Sequence, residues 1–95
     1  MSQIIFSQKA ILDIERFRIF LHTNGLSAIE AVKTIIDSID NLAFNPRIGR
    51  PVKEFEHEHR ELIINFGSSG YIAEYRIDKN IVTILALRHQ KEVGY

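Results

Sequence analysis

Ninety-five residues with twelve Lys/Arg and twelve Asp/Glu make a formally neutral chain, 45% hydrophobic and 25% charged, the profile of one globular domain over 1–95. Zero net charge argues against a protein whose main work is gripping nucleic acid, because phosphate contacts leave a basic excess. There is no cysteine, which excludes a disulfide framework and thiolate metal sites, and no apolar run approaches the roughly 20 residues of a membrane helix.

Ile4 to Phe6 reads as a short first strand. The start, Met1 to Phe6, lacks the basic beginning and long apolar stretch of a signal peptide, so the cytoplasm is the expected compartment. Ser7 stands where a helix N-cap would, its hydroxyl able to accept a free N–H. From Gln8 to about His22, Ala10, Ile14, Phe17 and Leu21 recur at helical spacing. Ile11 widens the stripe, and Lys9, Asp13 and Arg16 are expected on the wet side. Asn24 and Gly25 tolerate the left-handed conformation that ends helices.

A second helix opens at Ser27-Ala28-Ile29-Glu30, a match to the capping box. Ala28, Ala31, Val32, Ile35, Ile36, Ile39 and Leu42 form its apolar face, while Lys33, Asp37 and Asp40 stay wet. Asn45-Pro46 ends it. The short link between the two predicts an antiparallel helical hairpin. Two prolines and a glycine make Asn45 to Pro51 irregular, and no element is predicted from Lys53 to His59.

From Arg60 the period changes to two. Leu62, Ile64 and Phe66 alternate with Glu61, Ile63 and Asn65. After a turn at Gly67 to Gly70, Tyr71, Ala73, Tyr75 and Ile77 alternate with Ile72, Glu74 and Arg76. Asp78-Lys79-Asn80 makes a second turn, and Ile81 to Leu87 is a β-branched, apolar strand. Tight turns make these three strands an antiparallel meander. The order β-α-α-β-β-β predicts a two-layer α+β domain, the helical hairpin packed on an antiparallel sheet. The inward face of the last strand stays open: Ile81, Leu85 and Leu87 compete with Val82, Ile84 and Ala86.

Four stretches then carry a resemblance. They are Pro46-Arg47-Ile48-Gly49-Arg50, Arg60-Glu61-Leu62-Ile63-Ile64, Gly70-Tyr71-Ile72-Ala73-Glu74-Tyr75-Arg76 and Ile84-Leu85-Ala86-Leu87-Arg88-His89-Gln90-Lys91-Glu92. In order and spacing they resemble the core of the RelE/ParE toxins of type II toxin–antitoxin systems, over essentially the whole chain. The resemblance implies a compact α+β toxin wrapped by a cognate antitoxin, with operator DNA reached only through that antitoxin, no membrane partner and no cofactor. RelE-type members cut messenger RNA on the ribosome, and ParE-type members act on DNA gyrase. Fold alone does not choose between them.

The RNA-cutting branch keeps two lysines on the strand that begins here at Arg60. It keeps an arginine just after the Gly-Tyr pair and another beyond the last strand. This sequence has Ile63, Asn65, Ile72 and, more loosely, Gln90 at those places. Aliphatic groups neither hold a phosphate nor donate a proton. The resemblance therefore implies the ParE branch, a gyrase inhibitor with no catalytic residue of its own, docking through Arg88, His89, Lys91, Glu92 and Tyr95.

The alternative is a messenger-RNA endonuclease built from Arg76, Arg88, His89 and Tyr95, with His89 as the acid–base group. A plainer reading has Arg76 pair with Glu74 or Glu61 on the exposed sheet face while His89 ends a strand. A third is a non-toxic relative that only binds antitoxin. The antitoxin-binding candidates are Phe17 and Phe20 on the first helix, with Arg60 and Arg76. In Glu56-His57-Glu58-His59 only His57 and His59 share a strand face, and two ligands do not make a metal site, so no metal is expected. Arg47 and Arg50 read as loop arginines, solvated or touching a phosphate. Tyr71 and Tyr75 read as packing residues.

Overall fold

The computed structural model describes residues 1–52 and 58–91. Its elements run β1 (Gln3–Phe6), α1 (Gln8–Thr23), α2 (Ala28–Asp40), a 3-10 turn (Asn41–Ala43), β2 (Arg50–Val52), β3 (Glu58–Phe66), β4 (Ser69–Asp78) and β5 (Ile81–His89). The sheet order is β1-β5-β4-β3-β2. The antiparallel meander of β3, β4 and β5 forms as the alternation predicts, with two-residue turns at Gly67-Ser68 and Lys79-Asn80.

Two features of the sheet depart from expectation. First, β1 lies parallel to β5, with Ile4 opposite Val82 and Phe6 opposite Ile84, so the sheet is mixed. The helical hairpin carries the chain across the sheet to its far edge, and the returning meander ends beside β1 running the same way. Second, the stretch expected to be irregular holds a three-residue edge strand, β2, paired antiparallel to β3 with Arg50 opposite Glu61. Proline is tolerated in such a strand because an edge leaves one side of the ladder unused.

Both helices cover one sheet face. Ala10 and Phe17 of α1 and Ile35 and Ile39 of α2 pack with Leu42 on Ile64, Tyr71, Ala73, Tyr75, Ile77, Val82, Ile84 and Leu87. The predicted stop of α1 holds, whereas α2 ends at Asp40, ahead of the expected Asn45-Pro46, and passes into the 3-10 turn. Gly25 takes φ +68° and the Leu26 N–H reaches back to the Leu21 carbonyl at 2.8 Å, the left-handed helix end expected of Asn-Gly. Among the described residues no helix is long and apolar enough to cross a membrane.

Ser7 caps α1: its hydroxyl oxygen accepts from the Ala10 N–H at 3.0 Å. Ser27 occupies the N-cap of α2 without a side-chain cap bond, so the predicted box with Glu30 does not form. The backbone differs at the two caps: ψ is 162° at Ser7 and 94° at Ser27, short of the extended geometry at which Ser7 caps α1.

The open question about the last strand resolves through a bulge. Between Glu74–Ala86 and Tyr75–Ile84 the pairing slips by one residue. The inward set therefore switches from Val82 and Ile84 to Leu87, and each of the competing patterns holds for half the strand. The bulge also overturns the placement of Asp13, which is buried. Its Oδ2 accepts the Leu87 N–H at 2.9 Å, while the Ser7 hydroxyl donates to the Leu85 carbonyl at 2.8 Å. Buried backbone groups released from a ladder need partners, and α1 provides both.

Candidate functional site

Three surfaces gather the polar and aromatic residues singled out above. The sheet face away from the helices is open. There Glu61 of β3 lies directly opposite Glu74 of β4, a like-charge pair that destabilises unless a cation intervenes. Two cations do. Arg50 reaches Glu61 at 2.7 Å from β2, and Arg88 reaches Glu61 at 3.3 Å and Glu74 at 2.9 Å from β5. Burial pushes the Glu61 carboxyl up, but the bonds from Arg50 and then Arg88 prevail and hold it below the ordinary range.

The pairing predicted for Arg76 thus falls to Arg88, which lies opposite Ile72 and reaches both carboxylates diagonally. Arg76 sits between His59 and Thr83, with its Nε buried and without a hydrogen-bond partner among the described residues. The places where the RNA-cutting branch keeps cations also lie on this face. Ile63 and Ile72 are direct cross-strand partners, and Ile63 is 48% exposed.

The candidate catalytic residues do not converge. Arg88 and His89 are consecutive on a strand and point to opposite faces. Arg76 pairs across with Thr83, whereas Arg88 lies opposite Ile72; four positions along β4 is roughly 13 Å. Tyr95, Glu92 and His57 lie outside the described residues.

His89 faces the helix side, at a second surface: a groove of about 890 Å³ between the later half of α1, the β3–β4 turn and the end of β5. The Phe17 ring stands 4.8 Å from that of Tyr71, which meets the His89 ring edge-on at 5.2 Å. The Lys91 N–H donates to His89 Nδ1 at 3.1 Å, so the ring proton sits on Nε2, which donates to the Ser69 hydroxyl at 3.1 Å. With its acceptor nitrogen occupied, His89 has no lone pair for abstracting a proton from Ser69. It fixes the strand end to the hairpin. Phe17, Phe20, His89 and Lys91 are brought together here.

The third surface is the loop from Pro46 to Arg50. The Tyr75 hydroxyl donates to the Pro46 carbonyl at 2.7 Å and accepts the Gly49 N–H at 3.0 Å. Burial, ahead of every other influence, pushes the Tyr75 phenol above its ordinary pKa. Arg60 donates to the Gly49 carbonyl at 2.6 Å, the Arg47 carbonyl at 3.1 Å and Glu58 at 2.8 Å. Arg60, an antitoxin-binding candidate, is therefore committed to holding this loop. Sequence reasoning missed this role, as it missed Asp13, Ser69, Phe66 and Leu26. The one available signal was a glycine between two arginines after a helix.

A helical hairpin on a five-stranded mixed sheet, with a neutralised open face and an apolar groove, places the chain in a class. Residues 4–94 match the family model of the ParE toxin of the type II toxin–antitoxin system parDE. The chain belongs to this family, within the RelE/ParE toxins, and is a toxin component of a type II system. It is 29% identical over 93 residues to Toxin RelE3 of Caulobacter vibrioides, covering 97% of this chain and 98% of that relative. Its fold matches a chain of the chromosomal ParDE TA system from P. aeruginosa with a TM-score of 0.72 at 23% identity, covering 94% of this chain and 96% of the other.

Proposed function

We propose that residues 1–95 act in the cytoplasm as a single-domain, ParE-like inhibitor of DNA gyrase, neutralised by a cognate antitoxin and reaching operator DNA only through it. One observation carries this reading. On the open face, the Ile63–Ile72 pair stands where RNA-cutting relatives keep cations, and Arg50 and Arg88 are neutralised by Glu61 and Glu74. Cleaving a phosphodiester requires positive charge aimed at the developing oxyanion. Opposed faces for Arg88 and His89 support the same conclusion. Such a toxin needs neither cofactor nor metal, and it harms by docking. Arg88, His89 and Lys91 at the end of β5, with Glu92 and Tyr95 beyond it, are the proposed target contacts.

The test is a supercoiling assay with purified gyrase. Micromolar toxin is expected to abolish supercoiling or trap cleaved DNA, and added antitoxin to restore turnover. Untouched supercoiling, together with codon-phased cuts in messenger RNA after induction, would replace this reading with the endonuclease. Unhindered growth with soluble toxin would leave antitoxin binding as its remaining role.

A further inference from the structure

We propose that the free outer edge of β3 pairs with the same edge of a second copy of this chain. The two edges run antiparallel about a twofold axis at Ile64 and join two five-stranded sheets into one. The inference is independent of whether gyrase or messenger RNA is the target.

The edge is open because β2 is short. It pairs with β3 only at His59, Arg60 and Glu61. Just before β2 the chain is drawn toward the covered face, where the Gly49 N–H donates to the buried Tyr75 hydroxyl at 3.0 Å. Among the described residues no backbone group pairs with the outer side of β3 from Leu62 to Phe66. The β3–β4 hairpin decides which groups point outward. A two-residue turn closes on a hydrogen-bonded pair, here Phe66 and Ser69, so Ile64 and Leu62 also bond toward β4. Ile63 and Asn65 therefore turn their N–H and C=O groups away from the sheet.

This stretch matches itself across a twofold axis. With Ile64 on the axis, Ile63 stands opposite Asn65 of the second copy, and Leu62 opposite its Phe66. The two Ile63–Asn65 pairs exchange about four backbone hydrogen bonds. Residues 62–66 hold no charge and no proline, and their register on β4 runs without a bulge. Charges, prolines and bulges are the devices that keep edges apart. The neighbouring β2 carries two of them, Arg50 and Pro51; the open part of β3 carries none. Pairing also covers Ile63, which is 48% exposed, and sets Phe66 against Leu62 beside the core that both already touch.

Two arguments select a second copy and a closed pair. An uncharged edge has nothing with which to choose a foreign charged segment, whereas its own copy brings the complementary sequence in register. The other sheet edge is β1, but β1 of one copy on β3 of the next would repeat without closing and grow a fibre. Pairing β3 with itself uses up both open stretches and stops at two. Because Ile63 and Asn65 lie on one face, the open faces of both copies end on the same side of the joined sheet.

Sedimentation velocity of the purified full chain, from about 1 µM to about 1 mM, spans the affinities of so small an interface. It is expected to show monomer passing into dimer and nothing larger. Asn65→Pro removes an outward N–H that the single chain leaves unused, at an edge position where proline is tolerated. It is expected to raise the dimer dissociation constant about 30-fold or more, two hydrogen bonds being lost per dimer. Leu12→Asp changes a residue that is 60% exposed on α1, which packs over β5, and is expected to dimerise within about twofold of wild type. Since the chain has no cysteine, crosslinking reads the register directly. Ile63→Cys mixed with Asn65→Cys places the two thiols on directly opposed residues with Cα atoms about 5.5 Å apart, and the oxidised mixture is expected to give about 10-fold more linked dimer than either variant alone. Monomer across the whole range, association beyond a dimer, an undiminished dimer in Asn65→Pro or an equal loss in Leu12→Asp each overturns the proposal. So does crosslinking no greater in the mixture than in the single variants, a result that decides alone if Asn65→Pro does not fold.

Discussion

The two faces of the sheet use their polar side chains in opposite ways. On the covered face three of them answer particular backbone groups: Tyr75 the Gly49 N–H and Pro46 carbonyl, Asp13 the Leu87 N–H, Ser7 the Leu85 carbonyl. On the open face side chains answer one another, Arg50 to Glu61 to Arg88 to Glu74. The first arrangement repairs places where the ladder or a loop leaves buried groups unpaired, and each bond there has no substitute. The second cancels charge on a surface that water also reaches, so its members are partly replaceable. A face built to bind or cleave an RNA backbone would leave cations uncancelled. This one does not.

Gly49 offers the sharpest way to break that contrast. A Cβ there would lie 2.6 Å from both the Tyr75 hydroxyl and the Glu61 carbonyl, closer than packed atoms allow. Gly49→Ala must push the loop away and strip Tyr75 of a partner, at a cost of about 3 kcal/mol from overpacking and a lost buried bond together. Urea denaturation would register this as a lower midpoint at unchanged slope. A midpoint equal to wild type would mean the loop is not held as described.

Asp13 comes next. Asp13→Ala leaves the Leu87 N–H buried and unpaired, at about 2 kcal/mol. Asp13→Asn keeps an acceptor oxygen and loses the charge facing Lys9, whose side chain is 69% exposed, so it should cost under about 1 kcal/mol. Equal losses in the two variants would show that charge, and not acceptance from the bulge, is what Asp13 provides.

Periodicity made most of this fold legible. The helix stripes (save Ile11, expected in the stripe of α1 but 55% exposed), the meander, both turns and the α1 cap are local patterns that need no knowledge of what lies opposite. The features that escaped are set by pairing at a distance. Nothing in Ile81 to Leu87 announces an extra residue, so the strand read as two competing faces, and Asp13 could be placed inward only once the bulge freed the Leu87 N–H. Arg50-Pro51-Val52 becomes a strand because β3 offers it an edge, although proline argues locally against one. At the site, the aliphatic residues at positions 63 and 72 were readable as substitutions, and the structure adds that they lie directly opposite each other across strands. The partner of Arg88 was not readable. Glu61 and Glu74 meet only through the register of β3 on β4, and that register decides which arginine lies between them.

The open face should show the smallest effect and the clearest dependence on pH. Glu61 is held below its ordinary pKa by Arg50 and Arg88 against the opposing pull of burial. Glu58 is lowered as well, by Arg60 first and Arg47 after it. A carboxyl whose folded pKa is depressed stabilises the fold above its unfolded value of about 4.3, and that contribution is lost as pH falls through the folded pKa. Glu61→Gln should therefore cost no more than about 1 kcal/mol near neutral pH. Its deficit relative to wild type should shrink below about pH 4 as the wild-type carboxyl also becomes neutral, while Glu58 keeps some acid sensitivity in both proteins. Thermal melts across the acid range would measure the narrowing. A deficit that persisted undiminished into acid would trace to the shape and hydrogen bonding of the side chain, and the four-residue network would then order the face without its charges stabilising it.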